Sequence, residues 1–350
     1  MYKNITMMHG GGGAIMQQMI QNTIIKNLKD KSCEIPLSAL DDAAIIDGIV
    51  FSTDSYTINP LFFPGGDIGR LSISGTVNDI SVMGGDPFAL ACSLIIEEGF
   101  PIDDLERIMM SIHETCTEAK VHVVTGDTKV MEKKSIDKLV ITTTGIGKKS
   151  KLLEHNLEII QKYRPNYNKL WLSDFNIEKG DKIIISGTLG DHGTAILSAR
   201  NNYGFDSNIK SDVSPLNSVI EKALAIGGIT NIKDPTRGGL ANLLNEWTSK
   251  SGIGLKIYEE KIPVKESVRT ALGFLGIDYL EVGNEGKVCI SAIPEKAEEI
   301  LQTIKQTKEG EDAMIIGEAI NEIDIPVLET IIGGNRIIPM PSGDPIPRIC

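Results

Sequence analysis

Short apolar runs separated by glycine and aspartate fill the first half of the chain. The Asp47-Gly48 pair between two of these runs is typical of a two-residue hairpin turn. A longer apolar stretch has the period of a helix and is stopped by Gly84-Gly85-Asp86-Pro87. The pattern predicts strands over 41–46, 49–54, 121–124 and 139–146 and a helix over 68–82.

The second half opens with a polar stretch over 148–179, which we interpret as an irregular connection. A strand is predicted over 181–186. Further along, a helix is predicted to begin with Asp234 as its N-cap and Pro235 at its first position, followed by apolar residues at helical spacing.

Two apolar runs near the end of this half, 280–282 and 288–290, predict a pair of strands with Glu285 in the turn between them. Together these elements indicate a mixed α/β (α+β) fold, and 350 residues are enough for two domains with separate cores. We expect a glycine-rich loop and helix at 1–40, a first domain at 41–150, a second domain at 170–325 and a flexible tail at 326–350.

The chain ends in a segment that is unsuited to regular structure. Four prolines and a glycine in 339–350 exclude a helix or a central strand and predict a semi-extended tail. Its last residue is Cys350, so the thiol is expected at the tip of a mobile arm. Such an arm suits a carrier that takes a bound group between sites, and an incidental terminal cysteine is the alternative.

Composition limits the classes of function. The net charge of −12 provides no basic field for nucleic acid. No apolar run is long enough to span a bilayer, and the first residues lack the pattern of a signal peptide. The 5 cysteines have neither zinc nor redox spacing, so we expect reduced thiols and a cytoplasmic location.

Candidate chemistry begins at a glycine loop and a set of acidic turns. Gly10, Gly11 and Gly12 precede an apolar helix, where free N–H groups suit phosphate, although plain linkers have the same composition. Carboxylates without histidine or cysteine neighbours suit Mg²⁺ held together with substrate phosphates. Each aspartate alone is more typical of a turn or a helix cap than of a metal ligand. These aspartates, all at predicted strand ends or loop edges, are Asp41, Asp42, Asp54, Asp79 and Asp127.

Three further polar residues stay open on position alone. Lys129 follows Gly126-Asp127-Thr128 at a strand end, where it could neutralise a phosphoryl group or simply face solvent. Glu285 is either a catalytic group on a loop or an ordinary turn residue. His192 is a possible site residue, with a helix-cap region as the alternative.

A set of motifs, in order along nearly the whole chain, resembles the HypE family of hydrogenase maturation proteins. The acidic and glycine motifs are shared with the wider superfamily of aminoimidazole ribonucleotide synthetase, selenophosphate synthetase and thiamine monophosphate kinase, whereas the closing Pro-Arg-Ile-Cys narrows the resemblance to this family. The motifs are His9–Gly12, Asp41–Ala44, Thr53-Asp54, Asn78–Ile80, Met83-Gly84, Thr125–Lys129, Asp234–Gly239, Val282–Gly286 and Pro347–Cys350.

The resemblance implies an ATP-dependent carbamoyl dehydratase that takes a carbamoyl group onto Cys350 and converts it to a thiocyanate. A carbamoyltransferase of the HypF type would supply that group, and an iron scaffold of the HypC–HypD type would accept the cyanide for a nickel–iron hydrogenase centre. By resemblance Lys129 would serve the phosphoryl group and Glu285 the proton. Nucleotide binding would fall to Gly10, Gly11, Gly12, Asp42, Asp54, Asn78, Asp79, Asp127, Thr128, Asp234 and Arg237, and Mg²⁺ to Asp41, Asp42, Asp79 and Asp127.

The resemblance also implies a homodimer in which first-domain strands of two subunits close a common barrel. Two rival hypotheses remain at this point. One is a superfamily kinase or synthetase that acts on a free small molecule and does not need Cys350. The other is a non-enzymatic scaffold that only offers the tail cysteine to a partner.

Overall fold

The structure is a computed structural model that describes residues 4–28, 33–201 and 208–350. It contains two larger sheets, each flanked by helices, which confirms the predicted mixed α/β (α+β) class. The helices are α1 Gly13–Met19, α2 Ile68–Val82, α3 Ile102–Ala119, α4 Lys151–Tyr163, α5 Asp191–Asn201, α6 Asn217–Ile226, α7 Gly239–Ser251, α8 Glu266–Leu275 and α9 Pro294–Lys305.

The first sheet has the strand order β1-β2-β7-β5-β6, antiparallel except for the parallel pair β5–β6. The predicted hairpin is present, with left-handed backbone at Asp47 and Gly48. A short pair, β3 and β4, precedes α2. The strands are β1 Ala44–Ile46, β2 Ile49–Tyr56, β3 Phe62–Phe63, β4 Gly66–Asp67, β5 Gly85–Glu97, β6 His122–Met131 and β7 Leu139–Lys149.

Helix α2 occupies the predicted residues and forms the centre of the molecule. Asp67 caps its N-terminus, since its Oδ1 accepts hydrogen bonds from the N–H groups of Gly69 and Arg70 at 2.7 and 3.1 Å. Small residues on the helix and at Gly145 of β7 allow close packing, because a Cβ at Gly145 would lie 2.6 Å from Ile80 Cδ1. The helix is therefore buried on nearly every side, between the first sheet and α3 and α6.

The second sheet has the order β14-β13-β10-β12-β8-β11-β9 and is antiparallel except between β10 and β13. Its edge strand β9 lies closest to the first domain, where α2 and α4 contact it. The strands are β8 Lys182–Ile185, β9 Ile229–Lys233, β10 Gly254–Tyr258, β11 Cys289–Ala292, β12 Met314–Ile320, β13 Pro326–Glu329 and β14 Asn335–Ile337.

The predicted irregular connection at 148–179 is wrong over its first half, which forms α4. Ser150 caps this helix, and Leu153, Leu157 and Ile160 recur at helical spacing on its buried face. Asn156 on the same face bonds the backbone N–H and carbonyl of Ile229, at 2.7 and 2.8 Å. These hydrogen bonds connect α4 to the second domain. The spacing of apolar residues over 150–163 was sufficient to predict the helix itself.

Two predicted element boundaries in the second half are also wrong. Helix α7 begins at Gly239, with Gly238 in left-handed conformation as its N-cap, so Asp234 and Pro235 are not its cap and first residue. Instead Asp234 follows β9 in a turn, which leaves its side chain free to face the site. Glu285 is not in a hairpin either, because 3₁₀ turn Tyr279–Glu281 and a loop precede β11.

The predicted tail at 326–350 starts too early, since β13 and β14 extend the second sheet as far as Ile337. From 338 onward the segment has no helix or strand, as the prolines require. It packs against the body of the protein with Ile346 and Ile349 buried. In this structure the tail is therefore docked and does not extend into solvent.

Within the described ranges, none of the helices combines the length and apolar character that crossing a membrane requires.

Candidate active site

An acidic cavity of about 420 Å³ lies between the first sheet, the start of α7 and the glycine loop. It collects side chains that are distant in sequence because the ends of β2 and β9 and the last turn of α2 meet at this point. Ser52 Oγ on β2 donates a hydrogen bond to Asp79 Oδ2 at 2.6 Å, which orients that carboxylate. Among the predicted site residues, Gly12, Asp41, Asp42, Asp54, Asp79, Asp234 and Arg237 line the cavity.

In the absence of a ligand, burial disfavours the ionised form of these carboxyl groups. The pKa of Asp42 is raised to about 8, chiefly by burial, which outweighs the attraction of Lys233. Burial likewise raises the pKa of Asp79 well above its ordinary value, with repulsion from Asp54 as the next cause, and raises that of Asp234 to about 6. The cavity therefore concentrates carboxyl groups whose ionised form a bound cation would stabilise.

Two lysines form the rear wall of this cavity and were not identified from the sequence. Lys233 Nζ lies 2.9 Å from Asp42 Oδ1 and 3.1 Å from Asp174 Oδ2. Lys250 Nζ lies 2.7 Å from Asp174 Oδ2 and 3.1 Å from Asp41 Oδ1. The pKa of Asp174 falls well below its usual range because the two ammonium groups outweigh the effect of its burial. This network fixes the Asp41-Asp42 turn against the second domain.

A sequence signal for this rear wall exists on α7. Asn242, Glu246 and Lys250 recur every four residues on a helix whose other face is apolar, so they form one polar stripe. Glu246 accepts hydrogen bonds from Asn242 Nδ2 at 3.0 Å and from Gln17 Nε2 at 2.9 Å. Because polar side chains on a buried helix need polar partners or a cavity, such a stripe indicates a site. These three residues line the acidic cavity.

Asn78 was predicted to bind nucleotide, but in this structure both ends of its side-chain amide are hydrogen-bonded to the backbone. Its Nδ2 donates to the carbonyl of Ser214 at 3.2 Å, and its Oδ1 accepts from the N–H of Leu216 at 2.8 Å. Asp41 is similarly engaged, because Ser173 Oγ bonds its Oδ2 at 2.7 Å while Lys250 takes Oδ1. Both residues position the neighbouring aspartates.

The glycine loop lies against the C-terminal tail. The N–H of Ala14 donates to the carbonyl of Pro341 at 3.0 Å. Gly13 has φ 70°, and a Cβ there would lie 2.1 Å from the same carbonyl oxygen. A Cβ at Gly11 would lie 2.5 Å from the backbone nitrogen of Asp344. Glycine is therefore required here for the close approach of the tail, a role separate from the predicted binding of phosphate.

A second cavity, of about 650 Å³, runs along the tail and contains Cys350. Arg237 lines both cavities, and its Nη2 lies 3.7 Å from Asp54 Oδ1. Burial raises the pKa of the Cys350 thiol, opposed by the attraction of Arg237 and reinforced by repulsion from Glu285. The structure thus brings Cys350, Glu285 and Arg237 together beside the acidic cavity.

Glu285 is almost fully buried, and its Oε1 has no hydrogen-bond partner within the described part of the chain. Its backbone N–H donates to Asp212 Oδ1 at 3.1 Å, which holds the loop in place. Burial, followed by repulsion from Asp234, raises its pKa well above the ordinary value for glutamate. An unpaired, buried carboxyl group next to a thiol is suited to accept a proton.

Asp127, Thr128 and Lys129 are not brought to either cavity in a single chain. They lie on β6, an edge strand whose residues are nearly all exposed. Lys129 Nζ and Asp127 Oδ2 lie 2.7 Å apart, with 67% and 59% of the two side chains exposed. The predicted strand at 121–124 is too short, since β6 runs from His122 to Met131, so the motif lies within an edge strand and not beyond its end.

His192 lies in the first turn of α5, as the helix-cap alternative predicted, and it also contacts the tail. Its Nε2 lies 2.7 Å from the carbonyl oxygen of Ile349. Arg200, eight residues later on α5, bonds the carbonyls of Pro347 and Arg348 and carries no motif in the sequence.

Comparison with protein families agrees with this architecture. The model for the N-terminal domain of AIR synthase related proteins matches residues 40–148. The model for the C-terminal domain of the same proteins matches residues 178–326.

Relatives of similar length cover the chain from end to end. A putative hydrogenase expression/formation protein of Methanocaldococcus jannaschii is 47% identical, over 99% of this chain and 99% of its own. The carbamoyl dehydratase HypE of Azotobacter vinelandii is 41% identical, over 99% of this chain and 97% of its own.

Solved structures give the same result. A HypE–HypF complex contains a chain that is 44% identical, with a TM-score of 0.82, covering 94% of this chain and 100% of that one. A HypE structure in complex with ATP is 38% identical, with a TM-score of 0.79, covering 99% of this chain and 100% of that one.

Proposed function

We infer that this chain, which belongs to the HypE family of hydrogenase maturation proteins, is a carbamoyl dehydratase that uses ATP to convert an S-carbamoyl group on Cys350 into a thiocyanate. The observation that carries this proposal is the docked tail, which places Cys350 beside Arg237 and the unpaired carboxyl group of Glu285.

The reaction has to remove the carbamoyl oxygen and two protons from the carbamoyl nitrogen. Phosphorylation of the oxygen by ATP makes it a leaving group, and it departs as phosphate while the C≡N bond forms. We assign Glu285 as the base that accepts one nitrogen proton and the departing phosphate as the acceptor of the other. Arg237 is the cation that stabilises negative charge next to the sulfur. Each turnover then yields one thiocyanate, one ADP and one phosphate.

The acidic cavity fits the nucleotide and Mg²⁺. Among the described residues, no three acidic, histidine or cysteine side chains converge tightly enough to hold a metal alone. Mg²⁺ is commonly bound by one or two carboxylates together with phosphate oxygens of the nucleotide. The buried carboxyl groups with raised pKa values would be the carboxylate ligands. Asp42, Asp79 and Asp234 are favoured as ligands over Asp41, whose oxygens are paired. The metal would neutralise charge on the phosphates.

We also propose that the protein acts as a homodimer, paired through the edge strand β6. Val124 and Val130 on this strand are 67% and 68% exposed, which is unusual for an unprotected edge. A partner strand there would cover them and bring Lys129 toward a site on the other subunit. The substitution Val124→Lys should then give monomers in analytical ultracentrifugation. The matched change Ile332→Lys, in an exposed turn, should leave the dimer intact.

Two partners complete the proposal. A carbamoyltransferase of the HypF type would load Cys350, in keeping with the solved HypE–HypF complex. An iron scaffold of the HypC–HypD type would accept the cyanide. The cytoplasmic location stays a prediction from the reduced cysteines.

The test is the intact mass of the protein after incubation with a carbamoyltransferase, carbamoyl phosphate and Mg-ATP. The natural chain should gain a carbamoyl group and then lose one water. Cys350→Ala should bind ATP normally but show neither the carbamoyl nor the cyano adduct. Cys33→Ala should behave as the natural chain does. Turnover of ATP by Cys350→Ala with a free carbamoyl compound would overturn the carrier role and favour the small-molecule enzyme.

A further inference from the structure

The docked tail is held mainly by its backbone carbonyl groups. Arg200 Nη1 donates to the carbonyl of Pro347 at 2.8 Å, and Arg200 Nη2 donates to that of Arg348 at 3.0 Å. The next carbonyl, of Ile349, accepts a hydrogen bond from His192 Nε2 at 2.7 Å. Three consecutive carbonyls are thus taken by two side chains of one helix, α5.

Both donors are fixed independently of the tail. Arg200 donates twice more, through Nε and Nη2, to the carbonyl of Asn59 at 2.9 and 2.7 Å. Since a carbonyl only accepts, His192 carries its proton on Nε2, and its Nδ1 accepts from Ser211 Oγ at 2.8 Å. Burial lowers the pKa of His192, which favours this neutral ring. The two side chains therefore form a site prepared in advance for an extended peptide.

The side chains of the tail add apolar anchors on either side of these carbonyls. Ile346 and Ile349 are buried, and both fit against glycines: a Cβ at Gly193 would lie 2.9 Å from Ile346 Cδ1, and one at Gly283 would lie 2.5 Å from Ile349 Cδ1. Arg348 between them has φ 59°, a conformation that is unfavourable for a residue with a side chain and persists only where surrounding contacts impose it.

We propose that Arg200 and His192 are positioning residues that hold the tail carbonyls in one register and so deliver the Cys350 sulfur to Glu285 and Arg237. The proposal rests on the proposed role of Cys350 as carrier. The carbonyl of Cys350 itself accepts hydrogen bonds from Thr57, through its N–H at 3.2 Å and its Oγ1 at 3.4 Å, so Arg200 and His192 set the register of the residues that lead to it. Neither donor touches the reacting group.

The same contacts explain why loading and conversion would need different tail positions. In the docked tail the Cys350 thiol is only partly exposed, and burial raises its pKa, so it stays protonated and attacks poorly compared with a thiolate. Carbamoyl transfer to Cys350 therefore requires release from Arg200 and His192, whereas dehydration requires capture by them. Loss of either donor should impair conversion and leave loading intact.

The experiment uses the full chain with Cys33→Ser, so that Cys350 is the one partly exposed thiol among its cysteines. Arg200→Ala and His192→Ala should load normally but convert the carbamoyl group about 10- to 100-fold more slowly, as expected for a misplaced reacting group. The Cys350 thiol should react with iodoacetamide about tenfold faster, in keeping with a lost hydrogen bond. His192→Gln should partly restore both the conversion rate and the slow alkylation of Cys350, because the glutamine amide N–H can donate a hydrogen bond. Arg107→Ala and His113→Ala, both exposed on α3, are the matched controls.

A one-residue insertion tests the register directly and keeps both donors. A glycine between Ile349 and Cys350 leaves the three carbonyls in place but moves the thiol by about 3.3 Å. This variant should load and then fail to convert.

Unchanged conversion in both alanine variants, or in the insertion variant, would overturn the proposal. Unchanged alkylation of Cys350 in both alanine variants would do the same. If the alanine variants fail to fold, His192→Gln and the insertion decide the matter. If the natural chain itself never converts its carbamoyl group, the proposed function fails, while alkylation still tests the capture of the tail.

Discussion

Lys129 and Glu285, the two residues assigned to catalysis by resemblance alone, lie in opposite environments. Lys129 is on the exposed edge strand β6 and is paired with its neighbour Asp127. Glu285 is buried in a loop beside the tail and has an unpaired oxygen. A single subunit thus completes the surroundings of Glu285 but leaves those of Lys129 open.

The difference has a physical cause in how each residue is held. The loop at Glu285 is held by hydrogen bonds within the same chain. The backbone N–H of Glu285 donates to Asp212, and its carbonyl accepts from the N–H of Ser214. Within the described residues, strand β6 is bonded on one side, to β5. On the proposed assignments, the surroundings of Glu285 are intramolecular, whereas those of Lys129 depend on association.

The largest effect is expected for Glu285→Gln, which keeps the size of the side chain and removes the base. Conversion of the carbamoyl group should fall by about 10²- to 10⁴-fold, with loading and ATP binding intact. Mass spectrometry of the loaded protein would show the carbamoyl adduct persisting. Glu260→Gln, at an exposed position, is the control. Conversion at the normal rate in Glu285→Gln would remove the base assignment.

Mixing inactive subunits tests whether Lys129 serves the other chain. Lys129→Ala should stall at the carbamoyl stage for lack of phosphoryl stabilisation. After random exchange with Glu285→Gln subunits, half of the dimers are mixed, and each of these has one intact site if the two residues come from different chains. Conversion should recover to about one quarter of the natural rate. No recovery would place both residues in the same subunit's site.

The same substitution at two aspartates compares the cavity with the edge strand. Asp79→Asn should weaken ATP binding by about tenfold or more without lowering the melting temperature of the ligand-free protein, because its burial and repulsion from Asp54 oppose the charge. Asp127→Asn should weaken ATP binding only in dimers, since it reaches no cavity in its own chain. Titration calorimetry with the natural chain and with the Val124→Lys variant distinguishes these cases.

The smallest effect concerns pH. A base must be deprotonated to act, and burial raises the pKa of Glu285 well above that of free glutamate. The conversion rate should therefore rise with pH, by at most about tenfold per unit, through a pKa above the usual range for glutamate. The residual rate of Glu285→Gln should lack this rise. A flat profile in the natural chain would mean that the proton leaves by another route.

Local patterns in the sequence were enough for α2 and for β1, β2 and β7, but they gave no prediction for β5 or α3. The Asp47-Gly48 turn and the limits of α2 depend on interactions within a few residues, and both are as predicted. Helix α4 was missed although its apolar spacing was present, because the polar residues around it were given more weight. The start of α7 was misplaced because a following Gly238-Gly239 pair delays the helix beyond a plausible cap at Asp234.

Residue types and their spacing were therefore enough to predict the fold class, the acidic motifs and a terminal cysteine on a segment unable to form helix or strand. The course of that segment depends on packing, since it docks on Arg200 and His192, which are distant in sequence and carry no motif for it. Packing also leaves Glu285 buried and Lys129 exposed. Burial and pairing are properties of the packed molecule, so residue type and spacing cannot specify them.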